Sequence, residues 1–303
     1  MTFIESFLRS VLDRSLNVFL RPDFIYNRTA AGKRLRAGLE EIESLSSAII
    51  DQVREELDSK PASASSEYFI KERRTLVEIL MQHGRQPGEY RMSEEEIRDE
   101  LKINAGAAIE TTASALCLFL KVLSLRPDVQ DRLHRELVEV FGGTDRPLRA
   151  DDLPRLEYTE RFIKETMRVF PPTPFVARQV HRDTELASYK LPAGTTLLLN
   201  IFGAHRDPEH WPDPLVFDPD RFLGERSAGR HPCAYLPFSA GARNCIGMRY
   251  AMMNMKTFLA TVLREWRVER ADDPYTDMHH LPLTFDISLR IVGGTRVVFR
   301  RRV

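Results

Sequence analysis

The sequence has little cysteine, no excess of either charge and no long uninterrupted hydrophobic run. Three cysteines in 303 residues are an odd number, which argues against a disulfide framework. The 44 lysines and arginines balance the 44 aspartates and glutamates, whereas nucleic-acid-binding proteins usually carry a clear basic excess. We therefore expect no nucleic-acid partner. Hydrophobic residues make up 43% of the chain, which predicts a folded core and not a disordered chain.

No targeting segment is visible at the start of the sequence. Apolar residues recur at helical spacing through the first part of the chain, but Glu5, Arg9 and Asp13 interrupt them. This spacing predicts an amphipathic helix and not a signal peptide or a membrane span. A second, more apolar helix is predicted from Ser93 to Leu125, and the charges inside it favour a buried core helix over a membrane span.

The remaining pattern predicts a mainly α-helical chain with small β-sheets, an α+β fold without internal repeats. Proline at the start and glycine at the end mark a helix from Pro127 to Gly142. Short strands are predicted over Phe175–Phe202, and a hairpin turn is predicted at Gly293-Gly294. The other predicted elements are helices over Tyr158–Val169 and Ile246–Trp266, and two strands that this turn joins, Ile287–Val292 and Thr295–Phe299.

Cys245 has the most informative position of the three cysteines. It lies just before the last predicted helix, with Arg243 two residues earlier and with Gly241 and Gly247 on either side. Unpaired backbone N–H groups and the helix dipole stabilise a thiolate at such a position, and a nearby arginine adds to the effect. A buried structural cysteine is the alternative, and the residues alone favour neither. Cys117, on an apolar helix, is expected in the core.

The segment around Cys245 carries a family pattern. From Phe238 to Gly247 the sequence fits F-x-x-G-x-R-x-C-x-G at every fixed position. It resembles the haem-binding loop of the cytochrome P-450 haem-thiolate monooxygenases, which implies haem b (iron protoporphyrin) as the cofactor. The resemblance makes the Cys245 thiolate the iron ligand, places Phe238 near the sulfur and brings Arg243 to a haem propionate. Gly241 and Gly247 are assigned to the loop that holds the haem.

Two further motifs occur in the order that this family has. Glu165 and Arg168 form an E-x-x-R pair on one helix face, a spacing that on its own is typical of solvated surface ion pairs. Arg221 follows within the P-x-R-F segment Pro219–Phe222. The resemblance makes these three side chains a structural triad behind the haem. It also implies that Arg178 contacts a propionate, with an ordinary strand arginine as the alternative.

The long helix contains a segment that resembles the family's A/G-G-x-D/E-T-T/S motif over the oxygen-binding face. The resemblance makes Glu110 and Thr111 the catalytic pair, because an acid and an alcohol can relay protons to bound dioxygen. Ala108 stands where the family has glycine, and its methyl group is expected to narrow the oxygen groove. The substrate neighbours that the resemblance implies are Asn104, Ala105, Pro174, Phe175 and Val176.

A weaker similarity concerns the subfamily. The stretch from Phe19 to Lys33 resembles animal fatty-acid ω-hydroxylases. Some members of that group carry a glutamate that forms an ester with the haem. Ala107 occupies the corresponding position here, so we expect this chain to lack that bond.

The matched motifs belong to the C-terminal part of the family's chain. We expect residues 1–303 to form the C-terminal part of a single domain. Helices are expected over 1–170, strands, a meander and the haem loop over 171–245, and a final helix and hairpin over 246–303. The family's N-terminal membrane anchor and its W-x-x-x-R helix are expected to be missing.

The resemblance implies O2- and NADPH-dependent hydroxylation of an apolar substrate of the fatty-acid, steroid or xenobiotic class. The implied electron donor is a reductase of the NADPH–cytochrome reductase type. Full-length members are expected at the endoplasmic reticulum membrane, and this chain is expected to be peripheral or cytosolic. The alternative is a truncated, catalytically inactive fragment that acts, if at all, as a haem-binding or interaction protein.

Overall fold

The computed structural model divides the chain into two compact units, residues 1–109 and 110–303. The residues that the structure describes are 10, 14, 17–59, 75–85, 92–285 and 288–302. Most of the amphipathic helix predicted for the first twenty residues lies outside them.

The first unit is built from helices. Helix α1 spans Ala30–Asp58, α2 spans Leu76–Arg85, and α3, Glu94–Leu125, begins in this unit and ends in the second. The Thr29 side chain caps α1 by accepting a hydrogen bond from the Gly32 N–H at 3.0 Å, which satisfies one of the free donors of a helix start. A small apolar core holds the three helices, formed by Ile50, Val53, Val77, Met81 and Ile97.

The second unit contains the end of α3 and three further helices. These are α4, Pro127–Phe141, α5, Glu157–Val169, and α6, Met248–Glu265. Pro127 occupies the first turn of α4 and Gly142 ends it in the left-handed region, with φ of 61°, as the sequence predicts. The apolar faces of these helices meet in one core, whose fully buried members include Leu118, Phe119, Leu123, Leu133, Leu156, Phe162, Ile163 and Leu263.

Eight short strands form four antiparallel pairs in the described part of the second unit. The pairs are β1, Phe175–Gln179, with β4, Thr196–Asn200; β2, Thr184–Leu186, with β3, Tyr189–Leu191; β5, Trp266–Arg270, with β8, Val297–Arg301; and β6, Leu283–Phe285, with β7, Leu289–Ile291. Short helical segments also occur in this unit, at Ala150–Arg155, Ile201–Ala204, Pro219–Phe222, Gly224–Ser227, Pro232–Ala234 and Met278–His280. The mainly α fold with small β-sheets is confirmed.

The predicted C-terminal hairpin is wrong in its pairing. The chain does turn at Gly293 and Gly294, both of which have positive φ, but the strands on either side of this turn do not pair with each other. β7 pairs back with β6, and β8 pairs with β5 directly after α6. A local turn signal therefore identifies the bend and not the partner strand, which depends on burial against α6 and α3.

Helix α3 is only partly a core helix. It is long and apolar enough by length and composition to cross a membrane, but its C-terminal half carries buried residues such as Ala115 and Val122. Such burial is typical of the core helix of a folded domain. Cys117 was expected in this core and is exposed, because it lies on the face of α3 opposite the buried residues.

One buried side chain joins α4 to β5. Gln130 is 1% exposed, and its Nε2 donates to the carbonyl oxygens of Val268 and Leu123 at 2.8 and 3.3 Å. Its Oε1 accepts a hydrogen bond from the Val268 N–H at 2.7 Å. The amide thus pairs backbone groups of β5 that no water reaches.

We expect Gln130→Leu to lower the free energy of unfolding by about 1–3 kcal/mol, because it deprives buried groups of Val268 of their partner. Urea denaturation followed by circular dichroism measures this loss. Glu139→Leu introduces the same side chain at an exposed position of α4 and is expected to change stability by less than about 0.5 kcal/mol. Equal effects of the two substitutions would contradict the prediction.

Candidate active site

The loop that leads into α6 is held by its own backbone. The Cys245 N–H donates to the Phe238 carbonyl oxygen at 2.9 Å, the Asn244 N–H to that of Gly241 at 3.1 Å, and the Ser239 N–H to that of Leu236 at 3.0 Å. Gly241 has φ of 81°, a conformation in the left-handed region that glycine adopts without strain. The loop thereby closes on itself between Phe238 and Cys245.

The Cys245 thiol lies exposed at the end of this loop. Gly247, the N-cap of α6, provides no capping side chain, so the first backbone N–H groups of the helix remain available to a negative charge. A Cβ atom built on Gly247 would lie 3.8 Å from the Cys245 Sγ. Glycine at this position therefore keeps side-chain atoms away from the sulfur.

Two arginines have no acidic partner among the described residues: Arg243 in the loop and Arg178 on β1. Arg178, on β1, donates only to the carbonyl oxygen of Ala177, at 2.9 Å. Arg243 is exposed. Phe238 packs against the core of the second unit. An exposed thiol, an open glycine loop and two cations that lack an acid are the donor set that a haem with its propionates requires, so the residues present fit this cofactor.

Glu165, Arg168 and Arg221 lie close together in the structure. Arg168 donates from Nε and Nη2 to both carboxylate oxygens of Glu165, at 2.7 and 2.8 Å, and the Arg221 Nε lies 3.6 Å from Oε1. The Asp218 N–H donates to the same oxygen at 2.9 Å. Burial raises the pKa of the Glu165 carboxyl, and the hydrogen bonds from Arg168 oppose this rise. All three triad side chains are buried, which distinguishes them from a surface ion pair.

Trp211 packs against the same triad. Its indole Nε1 donates to the Ala234 carbonyl oxygen at 3.0 Å, and the Arg168 guanidinium lies 5.1 Å from its ring centroid. Arg230 lies 3.9 Å from that centroid. The ring is fully buried, so two cationic groups are held against one apolar surface.

His205 is a further buried residue of this region. It is fully buried, and its Nε2 accepts a hydrogen bond from the Leu236 N–H at 2.7 Å. Its ring stacks on that of Tyr235 at 5.2 Å. Burial lowers the pKa of His205 to about 4, so the neutral imidazole holds the start of the Cys245 loop. No sequence spacing signals this contact.

The acid of the predicted catalytic pair has partners that the sequence does not reveal. The Glu110 Oε1 accepts a hydrogen bond from the Ser288 hydroxyl at 2.5 Å and lies 2.7 Å from the Arg290 Nη2. Thr111 follows on the next position of α3 and is half-buried. Ser288 and Arg290 belong to the segment of β7, so this carboxylate lies at the contact of α3 with the β6–β7 hairpin.

The predicted substrate neighbours fall into two groups. Pro174 is buried and Phe175 and Val176 are half-buried at the start of β1. The Phe175 ring lies 5.3 Å from that of Phe285 on β6, a residue that the sequence did not single out. Asn104 and Ala105 lie on the part of α3 that belongs to the first unit.

Several known proteins are similar to this chain. The family model of cytochrome P-450 matches residues 1–290. Cytochrome P-450 4V2 of Rattus norvegicus is 40% identical over 230 residues, which cover 76% of this chain and 43% of the relative. Cytochrome P-450 4c3 of Drosophila melanogaster is 32% identical over 298 residues, which cover 95% of this chain and 55% of the relative. The chain spans about half the length of the curated relatives it matches.

Solved structures show the same fold. The crystal structure of a cytochrome P-450 designated CYP102L1 matches with a TM-score of 0.81 at 23% identity, covering 99% of this chain and 65% of that one. A zebra fish cytochrome P-450 with abiraterone matches with a TM-score of 0.73 at 25% identity, covering 97% and 64%. Nearly all of this chain therefore corresponds to part of a larger known fold.

Proposed function

Because the chain belongs to the cytochrome P-450 family, we propose that it is a haem-thiolate monooxygenase that hydroxylates an apolar substrate such as a fatty acid. The observation that carries the proposal is the Cys245 thiol, exposed at the entrance to α6 on a glycine-containing loop. The chain's relatives in the cytochrome P-450 4 group support the same reaction class.

In this proposal the loop and two arginines bind the cofactor. Cys245 holds the iron as a thiolate, which the N-terminus of α6 stabilises. Gly241 and Gly247 keep the approach to the sulfur open, and Arg178 and Arg243 neutralise the propionates. When bound, the haem supplies the activation of O2 that hydroxylation of an unactivated carbon needs.

The remaining groups manage protons and substrate. Glu110 and Thr111 are consecutive residues of α3, and a carboxylate and a hydroxyl would together hold and transfer the protons that the reaction needs. Pro174, Phe175 and Val176 offer an apolar surface that excludes water and orients an apolar chain. Asn104 and Ala105 are proposed as further substrate neighbours.

Electrons are proposed to come from an NADPH–cytochrome reductase type donor that docks on the Cys245 side. This side exposes Ile246, at 90%, and Tyr250 next to Arg249, an apolar and basic surface that suits a protein partner. We also propose that the full-length protein is located at the endoplasmic reticulum membrane, where full-length members of the family are expected.

A thiolate-type Soret band tests the proposal. The chain is expressed, supplied with haem, reduced under carbon monoxide and examined by absorption spectroscopy. We expect the band in the wild type and in Cys233→Ala, which removes another exposed cysteine, and its loss in Cys245→Ala. A wild-type chain without the band would overturn the proposal and favour the alternative, a truncated fragment without catalytic activity.

A further inference from the structure

We infer that Ser288 and Arg290 are positioning residues that hold the Glu110 carboxylate beside Thr111. The inference rests on the proposed function, because it assigns a task to the acid of the catalytic pair. The inference brings in a second structural element, the β6–β7 hairpin, which is far from α3 in the sequence and contacts the acid of that pair.

Two side chains contact the same oxygen of the Glu110 carboxylate. Both contacts fall on Oε1, from the Ser288 hydroxyl at 2.5 Å and the Arg290 Nη2 at 2.7 Å. A carboxylate held in this way keeps one orientation while its second oxygen can accept or release a proton.

The hairpin itself is anchored to the elements around the site. The Ser114 hydroxyl, one turn after Glu110 on α3, donates to the Leu289 carbonyl oxygen. The Leu289 N–H donates to the Pro172 carbonyl oxygen at 2.8 Å, just before the proposed substrate neighbours. These contacts on both sides of β7 give Arg290 a defined position relative to α3.

The negative charge of the Glu110 carboxylate needs the nearby positive charge of Arg290. The side chains of Glu110 and Arg290 are 15% and 22% exposed, and Ser288 is fully buried. A carboxylate with so little access to water needs a cation or several donors nearby. Removal of Arg290 therefore leaves a poorly solvated carboxylate without its cation and frees it to change orientation.

The contact itself is tested without haem. The test is a double-mutant cycle. Arg290→Gln is expected to lower the ratio of folded to unfolded protein about tenfold when Glu110 is present, but less than about twofold in the Glu110→Gln background. Arg296→Gln is the matched control, since this arginine is exposed and has no ion pair in the described residues. Equal effects of Arg290→Gln in both backgrounds would overturn the inference.

The positioning role is tested with the haem-loaded chain and its reductase. Arg290→Gln is expected to lower the product formed per NADPH oxidised about tenfold with an unchanged Soret band, and Arg290→Lys should restore most of it. An unchanged yield in Arg290→Gln with an intact band overturns the inference and leaves the proposed function standing. A wild-type chain without the band overturns the proposed function, while the unfolding cycle still decides whether Arg290 holds Glu110.

Discussion

Glu165→Gln is expected to lower the free energy of unfolding by about 3–5 kcal/mol, because it removes the negative charge that is paired with a buried guanidinium. Arg168 is fully buried and directs two of its donors at Glu165. Its other contacts include the carbonyl oxygens of His205 and Pro214, which carry no net charge. The positive charge would then remain in the interior without compensation.

Chemical denaturation followed by far-ultraviolet circular dichroism measures this effect. Glu157→Gln, at an exposed position of the same helix, makes the same chemical change and is expected to alter stability by less than about 0.5 kcal/mol. A loss below about 1 kcal/mol for Glu165→Gln would show that the surrounding carbonyl groups are enough to hold Arg168.

Acidification is expected to destabilise the chain through His205. The pKa of this histidine is about 4 in the folded state and about 6.5 in an unfolded chain. The unfolded state binds the proton more tightly. The contribution of His205 to stability is therefore fully present above pH 6.5 and is lost as the pH falls towards 4. Between pH 7 and pH 4.5 the expected loss from this group is ~2 kcal/mol. Protonation of Nε2 also removes the acceptor of the Leu236 N–H.

The comparison of wild type with His205→Gln isolates this contribution. Glutamine keeps an acceptor for the Leu236 N–H but does not titrate, so the stability of this variant should fall less steeply over the same pH range. His210→Gln replaces a half-buried histidine nearby and should retain the wild-type slope. Parallel pH profiles for His205→Gln and wild type would contradict the assignment of the acid sensitivity to His205.

The helices could be predicted from the sequence because their ends are set by local chemistry. Pro127 and Gly142 mark α4 through a fixed φ and a left-handed conformation, and both effects act within one turn. The loop before α6 was recognisable for a similar reason. A tight loop that presents a thiol needs glycine and cysteine at fixed spacing, and all of these residues are close together in the sequence.

Contacts between distant segments could not be predicted in this way. Glu110 and Arg290 meet across the second unit, and neither residue is surrounded by a pattern that indicates the other. The same limit explains the error at the C-terminus. A turn at Gly293 is a local property, whereas the pairing of β8 with β5 depends on which edge the folded core leaves available.

The burial of Trp211 gives the protein a natural optical reporter. The chain has two tryptophans, and the other, Trp266, is 37% exposed at the end of α6. An indole shielded from water emits at shorter wavelength than an indole in contact with water, so the two tryptophans differ in their emission maximum. With Trp266 replaced by phenylalanine, the remaining fluorescence would come from the ring enclosed by Arg168 and Arg230. Light emitted by this one residue would then follow the packing behind the Cys245 loop.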